Sequence, residues 1–233
     1  MTQYSHTPSR GIPLAISLGI LAAIATGCAT GNAPGGKPTD APQATEAPAT
    51  PAAAGDDRVL GSPEAPVTII EFTDLQCPYC ARFALETWPL LRQHYVDSGK
   101  VRFASRDLPL SFHAYALPAA VAARCAGQQG KFWEYREALF RGQSRLANAP
   151  YDELAGRFGL DVAKFAACRA DAATAASVRA DAAVAAANGI ASTPTFVIGR
   201  VVNGEFAGEI VSGAQPFDAF AQRIDSLLQQ VQQ

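Results

Sequence analysis

Cys77 and Cys80, separated by Pro78 and Tyr79, stand directly after the apolar, β-branched run Val67-Thr68-Ile69-Ile70-Glu71-Phe72, and this stretch constrains the chain more than any other. The run has the length and composition of a buried strand. A helix starting at the cysteines would carry both sulfurs in its first turn. Such a helix N-terminus offers unpaired N–H groups and the positive end of the macrodipole, which favour a thiolate over a thiol at the first cysteine. The pattern reads as a redox dithiol. C-x-x-C is also half of a zinc site, but the other half should be a second close cysteine pair or a His-x3-5-His, and Cys125 and Cys168 stand singly. Redox chemistry is therefore expected at this site, without a metal and without a cofactor.

The chain ahead of this stretch is not built for a core. Met1 to Arg10 is polar with a single positive side chain, and Gly11 to Thr26 is apolar apart from Ser17, which reads as an export signal and is short for a membrane span. Ile24-Ala25-Thr26-Gly27-Cys28 is similar to a bacterial lipobox, which implies lipidation of Cys28 and a signal segment over 1–28. Ala25 stands where that pattern prefers Leu, so simple cleavage and an uncleaved anchor stay beside lipidation as readings. All three place the domain outside the cytoplasm, where disulfides persist. Residues 29–57 are rich in Ala, Pro and Thr with no large apolar side chain, and read as a disordered tether. The formal net charge is −2 with no Lys/Arg run, which argues against nucleic acid and points to proteins or small thiols as partners.

Five cysteines are an odd number for an exported chain. Setting Cys28 aside for a lipid leaves four, and pairing Cys77 with Cys80 and Cys125 with Cys168 is the arrangement that keeps the reactive pair free to cycle. A structural Cys125–Cys168 bridge, closing a loop of roughly 43 residues, would contribute about 4 kcal/mol in the chain-entropy model. The other reading is two unpaired buried cysteines acting as small hydrophobes.

Residues 58–233 are expected to form the folded domain. After Phe83, Leu85, Trp88, Leu90, Leu91 and Tyr95 at mostly helical spacing, with Pro89 as a kink and Gly99 as a stop, Val101 to Ser105 reads as a second strand. From about 110 to 188 the character is helical: Ala119–Ala126, Lys131–Phe140, Tyr151–Phe158, Asp161–Arg169 with an Asp cap, and the Ala-rich Asp171–Ala187. Strand character returns at Thr195–Ile198, with a hairpin through Asn203-Gly204 into Glu209-Ile210-Val211, and Phe217 to about Val231 closes as an amphipathic helix. The expected class is α/β, a βαβ half and a ββα half with a helical insertion between them.

With C-P-Y-C after a strand, Thr193-Pro194 before a later one, Arg124-Cys125-Ala126-Gly127-Gln128-Gln129-Gly130-Lys131-Phe132-Trp133 and Ser212-Gly213-Ala214-Gln215, the chain from about Val59 onward resembles the DsbA-type thioredoxin-fold oxidoreductases. The resemblance is to the bacterial branch that opens with Leu60-Gly61-Ser62-Pro63-Glu64-Ala65-Pro66-Val67. It implies that Cys77 is the nucleophile and Cys80 the resolving cysteine. It implies that Glu71, a carboxylate otherwise costly inside such a strand, trades a proton with Cys80. It implies that Thr193-Pro194 is the cis-proline loop facing the dithiol, although trans is the default for an X–Pro bond, and that the Thr193 backbone pairs with substrate. Pro78 and Tyr79 should tune the sulfurs. Of the other candidates, His113 reads as a packing or capping residue, His94 as solvated, Trp88, Trp133 and Phe140 as core aromatics, and Asp74 and Gln76 as bordering the site or shaping its loop.

The expected function is an exported thiol–disulfide oxidoreductase, monomeric and lipid-anchored at the periplasmic or cell-envelope side. Its partners would be exported proteins bearing thiols or disulfides and a membrane redox protein. A non-catalytic tethered module that binds proteins or carries metal is the alternative, and a glutaredoxin-like enzyme, where C-P-Y-C also occurs, is a more remote one.

Overall fold

The computed structural model describes residues 56–231. Residues 1–55 lie outside that range, and with them the signal segment, Cys28 and nearly all of the tether. The folded part starts at Asp56, two residues ahead of the expected boundary, because its carboxylate accepts from the Arg58 backbone N–H (3.0 Å) and from the Arg58 guanidinium.

Among the described residues one five-stranded sheet runs in the order β1-β3-β2-β4-β5. β1 (Val59–Leu60) is a two-residue edge strand antiparallel to β3 (Val101–Asp107), too short to leave a period in the sequence. β2 (Val67–Thr73) is parallel to β3 and antiparallel to β4 (Thr195–Val202), which pairs with β5 (Glu205–Ser212). All of β2 is buried, as an unbroken apolar run in a central strand requires. The β4–β5 hairpin turns at Asn203 and Gly204, both at positive φ (55° and 86°), the combination a tight two-residue hairpin demands.

The helix after the dithiol is irregular. α1 (Pro78–Arg82) continues through a wide π turn at Phe83–Thr87 into α2 (Trp88–Leu91) and a second π turn at Arg92–Val96. The expected kink at Pro89 takes this form: Pro89 has no N–H, and just before it the Trp88 N–H reaches back to the Phe83 carbonyl. The insertion holds α3 (Ala116–Gly127), α4 (Phe132–Arg141), a 3-10 stretch at Gln143–Asn148, α5 (Tyr151–Arg157), α6 (Val162–Ala170) and α7 (Ala172–Ala187). Asp161 and Asp171 cap α6 and α7 through their side chains. α8 (Phe217–Val231) closes the domain. The structure thus has the βαβ, helical-insertion, ββα arrangement of a thioredoxin-like fold.

The packing sets the dithiol at a seam. On one sheet face Val67, Ile69, Phe103, Phe196 and Ile198 pack with Phe83, Trp88, Phe220 and Ile224. Phe83 sits 4.5 Å from the Phe196 ring and 5.5 Å from Phe220, and its burial contributes roughly 1.5–3 kcal/mol to holding α1 on the sheet. On the other face Ile70, Phe72 and Val197 pack with Ala185 of α7 and Ile190. The insertion has its own core, and Leu75, Cys77, Cys80 and Ala84 belong to it. The helix carrying the cysteines is therefore pinned by sheet and insertion together.

Candidate active site

β2 ends at Thr73, the loop 74–76 turns, and Cys77 becomes the N-cap of α1 with Pro78 at its first position. Asp74 makes that turn: its Oδ1 accepts from the Gln76 N–H (2.7 Å), and its Oδ2 accepts from the Leu110 N–H and meets His113 Nδ1, each at 2.8 Å. His113 thus pairs with a buried carboxylate, a role more specific than the packing or capping expected of it. Gln76 in turn accepts from the Tyr115 N–H at 2.7 Å. On the far side Gln143 Nε2 donates to the carbonyls of Leu75 (2.8 Å) and Cys77 (3.0 Å). Sequence reasoning does not single out Gln143, because nothing local links it to a loop so far away in the chain.

Cys77 and Cys80 are both free thiols, both buried, while Tyr79 between them is 57% exposed. Cys77 Sγ lies 3.5 Å from the Thr193 carbonyl oxygen, across which a thiol can donate. As a thiolate it instead accepts from the Cys80 thiol, which more than offsets the cost of burial. The Thr193 side chain and the backbone N–H groups of Cys80 and Tyr79 add to this, and its pKa falls to about 5. Burial pushes the Cys80 thiol well up, and the neighbouring Cys77 sulfur pushes the same way. The Asp74 N–H donates to Cys80 Sγ at 3.5 Å. The surroundings thus favour the thiolate at Cys77 and the protonated thiol at Cys80.

The wall facing the dithiol is Thr193-Pro194, whose peptide is cis. Behind it the Gly213 N–H donates to the Pro194 carbonyl (2.8 Å), and Arg82 reaches the Ala214 carbonyl at 3.2 Å while lying over the Tyr79 ring. Segments far apart in sequence, 77–82, 193–194 and 213–214, meet here.

On β2, two residues before Thr73, Glu71 is fully buried, and Arg136 Nη2 of α4 donates to both its oxygens, at 2.8 and 2.6 Å. Burial pushes the Glu71 carboxyl up; Arg136 and the Thr73 and Ser105 hydroxyls pull it down, and Asp107 adds to the rise. Arg136 is not singled out from the sequence, yet the signal is present. Phe132, Tyr135, Arg136, Leu139 and Phe140 form the buried stripe of α4, so this arginine occupies an apolar position. Trp88 and Phe140 are buried, Trp133 is partly so and stacks on Trp88 at 5.3 Å, and His94 is exposed.

Away from the site, the structure bonds Cys125 of α3 to Cys168 of α6. Among the described residues there is no group of three or more His, Cys, Asp or Glu that could hold a metal, and no helix is long and apolar enough to cross a membrane.

Residues 53–226 match the family model described as Thioredoxin. The solved α-DsbA1 of Wolbachia pipientis is similar with a TM-score of 0.63 at 26% identity, covering 73% of this chain and 89% of that one. DsbA2 of Pseudomonas aeruginosa has a TM-score of 0.59 at 25% identity, covering 76% and 97%. Among curated proteins, the Na(+)/H(+) antiporter NhaA 3 of Salinispora tropica is 37% identical over 160 residues, 68% of this chain and 24% of that protein. The chain spans about a quarter of the length of the curated relatives it first matches, and the antiporter name describes those longer proteins. The matched residues, the helical insertion and the shared architecture place the chain in the thioredoxin family, among its DsbA-like thiol–disulfide oxidoreductases.

Proposed function

We propose that the protein forms, reduces or isomerises disulfides in exported proteins through a Cys77–Cys80 redox pair. The observation that carries this reading is the asymmetry of the two sulfurs: Cys77 at the helix N-cap with a pKa of about 5, Cys80 buried with a thiol held well above its ordinary range. A substrate thiolate attacks Cys77 of the oxidised form, the Cys77–Cys80 bond breaks, and Cys80 leaves with the electron pair. A second substrate thiol then attacks the mixed disulfide and releases reduced enzyme. In the reductive direction Cys77 attacks a substrate disulfide and Cys80 resolves it. Thr193 and Pro194 face Cys77, where an extended substrate can pair with the Thr193 backbone, and Pro78 and Tyr79 form the rim. Glu71 is the proton store for Cys80.

The setting belongs to the same proposal. The apolar segment 11–26 and Cys28 support export and a lipid anchor, the tether gives reach from the envelope surface, and the Cys125–Cys168 bridge suits an oxidising compartment. A membrane redox protein would restore the working state of a monomeric enzyme.

The test is insulin reduction, refolding of reduced RNase and rescue of scrambled RNase, with Cys77→Ser as control. Activity in at least one assay, lost in the control, supports the reading; equal behaviour of the two proteins in all three overturns it. Metal analysis of the reduced protein and of a Cys77/Cys80 double variant tests the metal-carrying module: a stoichiometric ion lost in the variant would favour it.

A further inference from the structure

Glu71 and Cys80 have a common neighbour. Thr73 follows Glu71 by two residues on β2, so both side chains leave the same face of the strand, the face on which Phe83 and Trp88 pack. The next residue, Asp74, has its N–H on Cys80 Sγ, which sets that sulfur beside the end of β2. Thr73 is 3% exposed, and its Oγ1 is buried with no hydrogen-bond partner among the described residues. A buried hydroxyl in that state costs stability, and this one is flanked by a carboxyl that needs a route for its proton and a thiol that must gain and lose one. It is also near enough to favour the anion of either neighbour, in each case against the larger opposing effect of burial.

We propose that the Thr73 hydroxyl relays the proton between the Glu71 carboxyl and the Cys80 thiol; this rests on the redox reading above. When a substrate thiolate attacks Cys77, the sulfur–sulfur bond breaks and Cys80 leaves as a thiolate. Thr73 Oγ1 gives its proton to Cys80 Sγ and takes the Glu71 proton in its place. Glu71 is left as a carboxylate, matched by Arg136. When Cys80 must resolve a mixed disulfide, the proton runs back from Sγ through Oγ1 to the carboxylate. The electron pairs move only between sulfurs. The charged groups facing this path are Arg136 on α4, Asp107 on β3 and Cys77 on α1, and the first two act on Glu71 whatever stands at position 73. On this reading Thr73 is a catalytic residue, because its hydroxyl hands a proton to the Cys80 sulfur whose bond breaks, although it does not touch substrate.

The experiment mixes oxidised full-length protein with glutathione in a quenched-flow apparatus from pH 4 to 9 and scores opening of the Cys77–Cys80 bond by thiol alkylation. Thr73→Val is expected to slow opening about tenfold or more and to remove the limb of the pH profile that follows Glu71, whereas Thr73→Ser stays within about twofold. In a Glu71→Gln background Thr73→Val should add no further slowing, and alkylation of Cys77 in the reduced form should be unchanged. Wild-type rate and profile in Thr73→Val would overturn the relay, as would Thr73→Ser being as slow as Thr73→Val, which would assign the effect to packing. Should Thr73→Val fail to fold by near-UV circular dichroism, Thr73→Ala against Thr73→Ser makes the same comparison. Failure of the redox reading looks different: wild type itself would open no faster than an unstrained peptide disulfide.

Discussion

A thiol that titrates near pH 5 inside a folded protein ties the reactivity of Cys77 to its stability. An unfolded cysteine titrates at about 8.5, so the folded value is the lower one. The stabilisation is then present in full above the unfolded value and is lost as pH falls through about 5. The expected outcome is that reduced wild type exceeds Cys77→Ala in urea resistance by a margin that is large at pH 9 and gone at pH 4. Alkylation of Cys77 by iodoacetamide should follow the same thiolate with a midpoint near 5. Arg136 offers a second test at this scale. Replacing it with Met leaves the buried Glu71 carboxyl without its cation and pushes it toward the protonated form, and should cost about 3–5 kcal/mol in urea unfolding. A Glu71→Leu/Arg136→Met double variant should recover most of that loss, because two apolar groups need no partner.

Elements meet at the dithiol through few but well-placed bonds. Gln143, in the 3-10 stretch after α4, holds the carbonyls at both ends of the Leu75–Cys77 loop and so ties the insertion to the start of α1. Gln143→Leu takes the side-chain donor from the Leu75 carbonyl, while the Cys77 carbonyl keeps the Ala81 N–H, and should cost about 1–3 kcal/mol. Hydrogen exchange should show faster amides at 75–81, where α1 begins, and a uniform change along the chain would contradict this role. Within the insertion, the Cys125–Cys168 bridge closes a loop with a sequence separation of 43 between α3 and α6. Its replacement by a pair of alanines should cost about 4 kcal/mol in guanidinium unfolding, the loop-closure entropy it removes from the unfolded chain. The elements themselves were legible: the Asp caps of α6 and α7 and the Asn203-Gly204 hairpin are short-range signals. β1 was not, since a two-residue strand has no periodicity of its own.

Across the whole folded unit, one buried ionic cluster joins its first residues to its last insertion helix. Asp181 of α7 accepts from Arg58 Nη1 (2.7 Å), Arg106 Nη1 (3.2 Å), Arg124 Nη2 (2.5 Å) and the Asp107 N–H (3.1 Å). Arg124 also donates to Asp107, and Arg58 to Asp56. Asp181→Ala removes one carboxylate partner from each of three arginines, leaving Arg58 with Asp56 and Arg124 with Asp107, and should cost about 3–5 kcal/mol, with α7 and the 56–60 segment exchanging amide hydrogens together. Because the cluster is buried, added salt should restore little of the loss. Asp181 shares the buried stripe of α7 with Thr174, Val178 and Ala185, yet the run of alanines hides that stripe in the sequence.

The order of residues was enough for the dithiol at a strand-to-helix turn, the helical insertion and the oddity of a carboxylate inside β2. Each depends on residues that are neighbours along the chain, where strand length, helical period and caps operate. What the sulfurs and that carboxylate meet follows from the packing of distant segments: the Thr193 carbonyl at Cys77, the Gln143 amide at the loop, Arg136 against Glu71. Hydrogen bonds and buried ion pairs act over about 3 Å, whereas these partners lie 116, 66 and 65 positions apart. No local preference encodes such a meeting. The arginine in the apolar stripe of α4 announces that a buried partner exists, and the packing of α4 against the sheet selects Glu71 as that partner.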